Sequence, residues 1–280
     1  MVSRVLSTVV LWAVILGSLW LFGSHAAIAL LTILAVLTLH EFYGLVEKMG
    51  AKPFRGMGLG FALVMIAGPY YLAYWVDEPD VVAPLATGLL IGALLASCVR
   101  VLGERDATAR VEAVASTVMG LFFVPYLLHF LVRLLMRKAD SGDNLALCLW
   151  VVAVSKFCDV GALFTGLALG RHKLAPNISP KKTWEGAVGG VLVSAGVGAA
   201  IAFLASARLP EHLTPLVAAT IAVPLAITTI ISDLMESALK RRADAKDTGK
   251  LIPGIGGAFD LTDSLILTAP VAYFIFLFLE

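Results

Sequence analysis

A chain of 280 residues that is 59% hydrophobic, 15% charged and of mean hydropathy +0.91 is excluded from ordinary soluble domains, in which about a quarter of residues carry charge. Its 21 basic and 20 acidic side chains leave a net charge of +1, so no global field points to nucleic acid as a partner. The three cysteines, Cys98, Cys148 and Cys158, form no paired motif and sit in apolar segments. They read as buried free thiols rather than as disulfide or zinc ligands.

A membrane span needs about 20 apolar residues at about 1.5 Å rise each. Nine candidates follow in chain order, at 5–22, 26–46, 57–76, 81–102, 112–136, 144–169, 186–206, 213–236 and 262–279. Arg4 followed by an apolar run resembles a signal peptide, but no convincing small-residue cleavage site follows, so the expectation is a retained first span. The fold expected is therefore all-α, a polytopic integral membrane bundle of about nine helices. Residues 1–140 would supply scaffold helices and 141–280 a catalytic region with polar loops. With the N-terminus inside, 16 of the 21 basic residues fall on the cytoplasmic side and four, Arg133, Arg137, Lys138 and Arg208, outside. This asymmetry sets orientation by the positive-inside rule, with both polar loops facing the cytoplasm. Pro69, Pro125, Pro224 and Pro270 lie inside predicted spans, where kinks are tolerated. The glycines of 186–190 and 196–198 suit close helix packing.

Polar side chains inside this apolar background cost about 2.5–3.5 kcal/mol each on insertion scales when charged. They therefore need a partner, a metal or a polar substrate. His40 and Glu41 interrupt the second span and read as a satisfied interhelical contact, outside the site. Lys156 and Asp159 lie in the sixth span at i,i+3 spacing, which suits an internal ion pair and a polar cavity wall equally. The loop RHKLAPNISPKKTWE, 171–185, places Ser179, Lys181, Lys182 and Thr183 just before a helix start. Such a loop makes a natural anion site, or a polybasic contact with lipid headgroups.

In the eighth span Asp233, Glu236, Ser237 and Lys240 share one helix face. A stripe of this kind either lines a wet cavity or, for Lys240 with Arg241 and Arg242, is solvated at the interface. IPGIGG then offers flexible backbone before Asp260 and Asp263, one helical turn apart. Acidic residues favour a helix N-terminus, and capping accounts for one of them more readily than for both. Convergence of Asp233, Asp260 and Asp263 would suit a hard divalent cation, which takes oxygen ligands.

These residues carry a resemblance to the CDP-diacylglycerol synthases, the phosphatidate cytidylyltransferase family. One block comprises Asp159, Gly170, Arg171, Ser179, Pro180, Lys182, Thr183, Glu185 and Gly186. The other comprises Ser232, Asp233, Glu236, Ser237, Lys240, Arg241, Lys246, Asp247, Gly256, Gly257, Asp260 and Asp263. Together they cover about a third of the chain. Ile255 and Leu261 depart from the pattern, standing where the family usually has His and Arg.

The resemblance implies transfer of a cytidylyl group from CTP to phosphatidate, giving CDP-diacylglycerol and pyrophosphate in phospholipid synthesis. It implies a bacterial inner membrane with the site facing the cytoplasm, and is compatible with a homodimer. Catalysis would fall to Asp233, Asp260, Asp263, Lys240 and Lys182, with the three Asp residues holding one or two Mg²⁺ and room for a monovalent cation. Substrate contacts would come from Asp159, Arg171, Ser179, Lys181, Lys182, Thr183, Glu185, Glu236, Ser237, Lys240, Arg241, Lys246, Asp247, Gly256 and Gly257. Within that set, Glu236 and Asp247 are expected to orient lysines or metal-bound waters. Two rivals are a CTP-dependent kinase of polyprenol, phytol or diacylglycerol and a transporter with an ion site. Against transport, charges cluster at the inner edge and no inverted repeat is visible.

Overall fold

A computed structural model describes residues 15–102, 108–137, 142–245, 248–249 and 256–279. Eight helices among them are long and apolar enough to cross a membrane. They are α1 (Ser24–Lys48), α2 (Arg55–Val76), α3 (Val82–Leu102), α4 (Arg110–Leu135), α5 (Asn144–Leu169), α6 (Trp184–Leu204) and α7 (Pro215–Arg242). The eighth, Ala258–Phe278, is interrupted at Leu267 into α8 (Ala258–Ile266) and α9 (Thr268–Phe278). Each corresponds to one predicted span, and the protein is a polytopic helical membrane protein. The predicted first span, 5–22, lies mostly outside the described residues; its described part, 15–22, is helical. Lys246, Asp247 and Ile255 also lie outside them.

The helices show why composition forecasts spans so directly. Large apolar side chains such as Leu95, Val99, Leu163, Phe164, Leu167, Leu192 and Phe203 are exposed, a pattern that suits lipid rather than water as the surrounding medium. At 28 residues, α7 is about 42 Å long, against a hydrocarbon core of about 30 Å. Its final turns, with Asp233 to Arg242, can therefore reach past the apolar layer. Pro125 lies in a π-helical turn of α4, Phe122–Tyr126, the local adjustment that accommodates a missing N–H. Cys158 is buried, but Cys98 is exposed on α3, so the expectation of three buried thiols holds only in part.

The chain forms two compact units, Met1–Arg133 with Leu239–Thr262, and Leu134–Ala238 with Asp263–Glu280. In the first unit Tyr43 of α1 is fully buried and donates to the Thr117 carbonyl at 2.9 Å. Gly58 of α2 and Gly120 of α4 leave room for its ring. In the second unit α5 and α6 pack through small residues: a Cβ on Gly189 would collide with Thr165, and one on Gly190 would lie 2.8 Å from the Cys158 carbonyl. Trp150 Nε1 donates to the Gly198 carbonyl at 3.0 Å and Ser194 Oγ to that of Val154 at 2.8 Å. Without a hydrophobic drive between helices in lipid, such close backbone approach and hydroxyl bonding hold the spans together.

Between α5 and α6 the predicted loop contains a short antiparallel hairpin, β1 (Lys173–Ala175) and β2 (Ser179–Thr183). Lys173 pairs with Thr183 and Ala175 with Ser179, with a register irregularity between.

Candidate functional site

In the second unit the site grows from α5, β2, α7 and α8. Ser155 and Thr229 bond through their hydroxyls at 2.9 Å, Thr229 and Thr268 at 3.0 Å, and Ser155 also reaches the Ser264 carbonyl at 3.2 Å. This buried hydroxyl ladder ties α5, α7 and the α8–α9 span into one register. Ser232 donates to the Asp263 carbonyl and lies 3.3 Å from the Leu267 amide, fixing α8 against α7 where the acidic side chains emerge.

Asp233 and Glu236, three residues apart on α7, and Asp263 of α8 each offer a carboxylate oxygen within 4.8 Å of the others. At that separation and an effective dielectric of about 20, two bare carboxylates repel by about 3 kcal/mol. Cations answer part of this charge. Lys182 of β2 forms an ion pair with Asp233. Lys156 lies 3.8 Å from both Asp159 and Asp263 and donates to Ser264 Oγ at 2.6 Å. Asp159, Asp233, Glu236 and Asp263 against Lys156 and Lys182 leave a formal surplus of two negative charges. The set of hard oxygen donors with a net negative charge could hold a divalent cation.

A cavity of about 370 Å³ adjoins this cluster. Asp159, Asp233, Lys181, Lys182 and Thr183 give it a charged end, and Leu163, Leu167, Leu174 and Ile230 an apolar one. Gly166 and Gly186 also line it, and a Cβ on Gly186 would sit 2.8 Å from the Ala162 carbonyl. The hairpin that carries the lysines is anchored at its base. Thr183 caps α6 by accepting from the Gly186 amide at 3.1 Å. Glu185 accepts from the Arg171 amide at 3.1 Å, the His172 amide at 3.2 Å and His172 Nδ1 at 2.6 Å.

The first unit holds a second acidic group. Asp260, in the first turn of α8, accepts from Lys240 Nζ at 2.9 Å, Thr248 Oγ1 at 3.1 Å and the Gly257 amide at 2.8 Å. Glu41 of α1 accepts from Thr248 Oγ1 at 2.9 Å and from the Ala258 and Phe259 amides at 3.0 and 2.9 Å. A cavity of about 400 Å³ lies beside it, lined among others by His40, Glu41, Lys48, Arg55 and Thr248.

Spacing predicts a trio of Asp233, Asp260 and Asp263; the trio assembled in the second unit is Asp233, Glu236 and Asp263. Lys182 and Asp159 join that cluster, and Lys181 lines its cavity. Lys240 and Asp260, both expected in the catalytic set, pair with each other. Glu185 serves the hairpin base, and the Arg171 contact with it is through the backbone. Ser179 opens β2, Ser237 is half-buried on α7 and Arg241 is exposed in the last turn of α7. Lys156 enters the cluster from α5; its spacing to Asp159 was the available signal. Ser232, Ser264 and Thr248 act through contacts 12 to 207 residues away, which leave no local pattern.

Residues 2–279 match the model of the cytidylyltransferase family. The chain belongs to that family. Among its relatives is the phosphatidate cytidylyltransferase of Synechocystis sp., 30% identical over 298 aligned positions that cover 98% of this chain and 94% of the relative. The Brucella suis phosphatidate cytidylyltransferase is 34% identical over 201 positions, 71% of this chain and 70% of that protein. The Rickettsia bellii one is 37% identical over 159 positions, 56% and 67% respectively. For a cytidylyltransferase, a carboxylate cluster flanked by lysines on a half-apolar cavity is chemically apt: nucleotide phosphates need cations, and an acceptor held in a membrane needs an apolar berth.

Proposed function

We infer that this membrane protein is a phosphatidate cytidylyltransferase, joining CTP and phosphatidate into CDP-diacylglycerol with release of pyrophosphate. Family membership along nearly the whole chain supports this reading, and the acid–lysine cluster on its cavity carries it. The names of the relatives lend no support to a lipid kinase or a transporter.

In the proposed reaction a phosphate oxygen of phosphatidate attacks the α-phosphorus of CTP. The new P–O bond forms as the bond to the β-phosphate oxygen breaks, and pyrophosphate leaves with that electron pair. A phosphate monoester is already an anion, so no side chain need remove a proton to make the nucleophile. Lys181 and Lys182, at the charged end of the cavity, would receive phosphate, while the wall of Leu163, Leu167 and Leu174 would take the first methylenes of the acyl chains. Asp233, Glu236 and Asp263 would hold Mg²⁺, which supplies neutralisation and alignment of the phosphates when bound. Asp260, one turn earlier on α8, and Lys240 stay in the proposed catalytic set, Lys240 to offset charge on pyrophosphate; Arg241, Lys246, Asp247, Ser179, Thr183, Ser237, Gly256 and Gly257 remain proposed substrate contacts. A second divalent ion or a monovalent ion, a homodimer, and placement in a bacterial inner membrane with the site facing the cytoplasm belong to the same proposal.

CTP labelled on its α-phosphate, given to purified protein with phosphatidate in mixed micelles, should leave its label in lipid. Label recovered in CDP would favour γ-phosphoryl transfer, and absence of pyrophosphate release would remove the reading.

A further inference from the structure

Glu41 lies on the first described span, more than 200 residues from Thr248, Ala258 and Phe259, yet its carboxylate contacts the turn that launches α8. Ordinarily the first N–H groups of a helix lack intrahelical partners. Here Glu41 Oε1 accepts from Ala258 and Oε2 from Phe259, at 3.0 and 2.9 Å. A negative charge at this end also suits the helix dipole. The surrounding backbone is shaped to admit it. A Cβ on Gly249 or on Gly257 would collide with the Glu41 carboxylate, and Gly256 takes a φ of +117° that favours glycine. Thr248 Oγ1 lies 2.9 Å from Glu41 and 3.1 Å from Asp260, so one hydroxyl proton bridges the two carboxylates. Two glycines that leave space and three donors that converge are independent features of one arrangement.

We propose that Glu41 is a positioning residue for cytidylyl transfer: it clamps the Thr248 hydroxyl and the Ala258 and Phe259 amides and thereby sets the direction in which the first turns of α8 present Asp260 and Asp263. It touches no reacting atom in this scheme, which rests on the function inferred above. Glutamine at this position would turn an amide N–H₂ toward backbone N–H donors, so Glu41→Gln breaks the clamp with little change of volume.

The test uses the full chain in detergent with CTP and phosphatidate. Glu41→Gln should lower kcat by about tenfold to a hundredfold, the range for groups that orient ligand side chains, with both KM values changed by less than about threefold. Hydrogen exchange in a peptide spanning 256–262 should accelerate by about tenfold or more, because one of the two amides, Ala258 or Phe259, loses its acceptor. Gly257→Ala, which keeps the carboxylate but fills its space, should likewise lower kcat and accelerate exchange, and the double variant should have a kcat no worse than the poorer single one. Wild-type kcat or unchanged exchange in either single variant overturns the proposal, as do losses that multiply in the double variant. If Glu41→Gln does not purify as folded protein, Gly257→Ala carries the kcat and exchange readouts. A wild-type enzyme that fails to place label in lipid would sink the inferred function instead, and the exchange measurement would then decide the clamp by itself.

Discussion

The two acidic groups of the molecule use the same residue types for different ends. In the second unit Asp233, Glu236 and Asp263 crowd together beside a cavity, and with Asp159 against the two neighbouring lysines they leave two formal negative charges over. In the first unit Glu41 and Asp260 spend their oxygens on three backbone amides, a threonine and Lys240. One arrangement has capacity for a cation; the other is largely consumed in holding backbone. Counting carboxylates does not separate these roles, whereas asking what donates to each oxygen does.

The largest break in that contrast should come from the crowded group. Asp233→Asn or Asp263→Asn should lower turnover by about a thousandfold, the several kcal/mol expected when a metal-assisted step loses a ligand. Each protein should still elute as a single species. More than a tenth of wild-type turnover in either variant would place the cation elsewhere. Next in size, Lys182→Ala removes the partner of Asp233 and a cavity cation together. It should raise the CTP concentration for half-maximal rate by about tenfold, the worth of a charge-assisted hydrogen bond of about 1.5–3 kcal/mol. An unchanged CTP dependence would reassign the hairpin to headgroup contact.

Thr248→Val sharpens the contrast from the other side. Losing one hydroxyl between two carboxylates should cost about fivefold in kcat, near 1 kcal/mol, with cation affinity unchanged within about twofold, because the crowded trio is intact. A loss as deep as that of Asp263→Asn would show that the two groups act as one. Smallest should be Glu185→Ala: the amides at the hairpin base lose an acceptor, and KM for phosphatidate should rise by only about twofold to threefold, since the capping Thr183 remains. A larger effect, measured in the same assay, would make Glu185 a substrate contact.

Much of the architecture was legible because each span repeats one message, length and apolarity, over 20 or more residues. The acidic stripe on α7 was legible for a related reason: Asp233 and Glu236 lie within one helical turn, where spacing translates directly into a shared face. What spacing could not give is which of Asp260 and Asp263 joins Asp233 and Glu236 and which pairs with Lys240. They sit about 60° apart around the helix, and contacts with Lys240, Thr248 and Ser232 make the choice. In the sequence Glu41 reads as a satisfied contact, and it is one; only the fold reveals that what it satisfies is the start of the helix carrying both acids.

The central claim is that Asp233, Glu236 and Asp263 form a cation site before any substrate arrives. Mn²⁺ titration of the detergent-purified chain, followed by electron paramagnetic resonance without CTP or lipid, tests it directly. Saturable binding in the wild type, lost in both Asp233→Asn and Asp263→Asn, is the predicted result. Equal Mn²⁺ binding by the wild type and both variants would contradict the account.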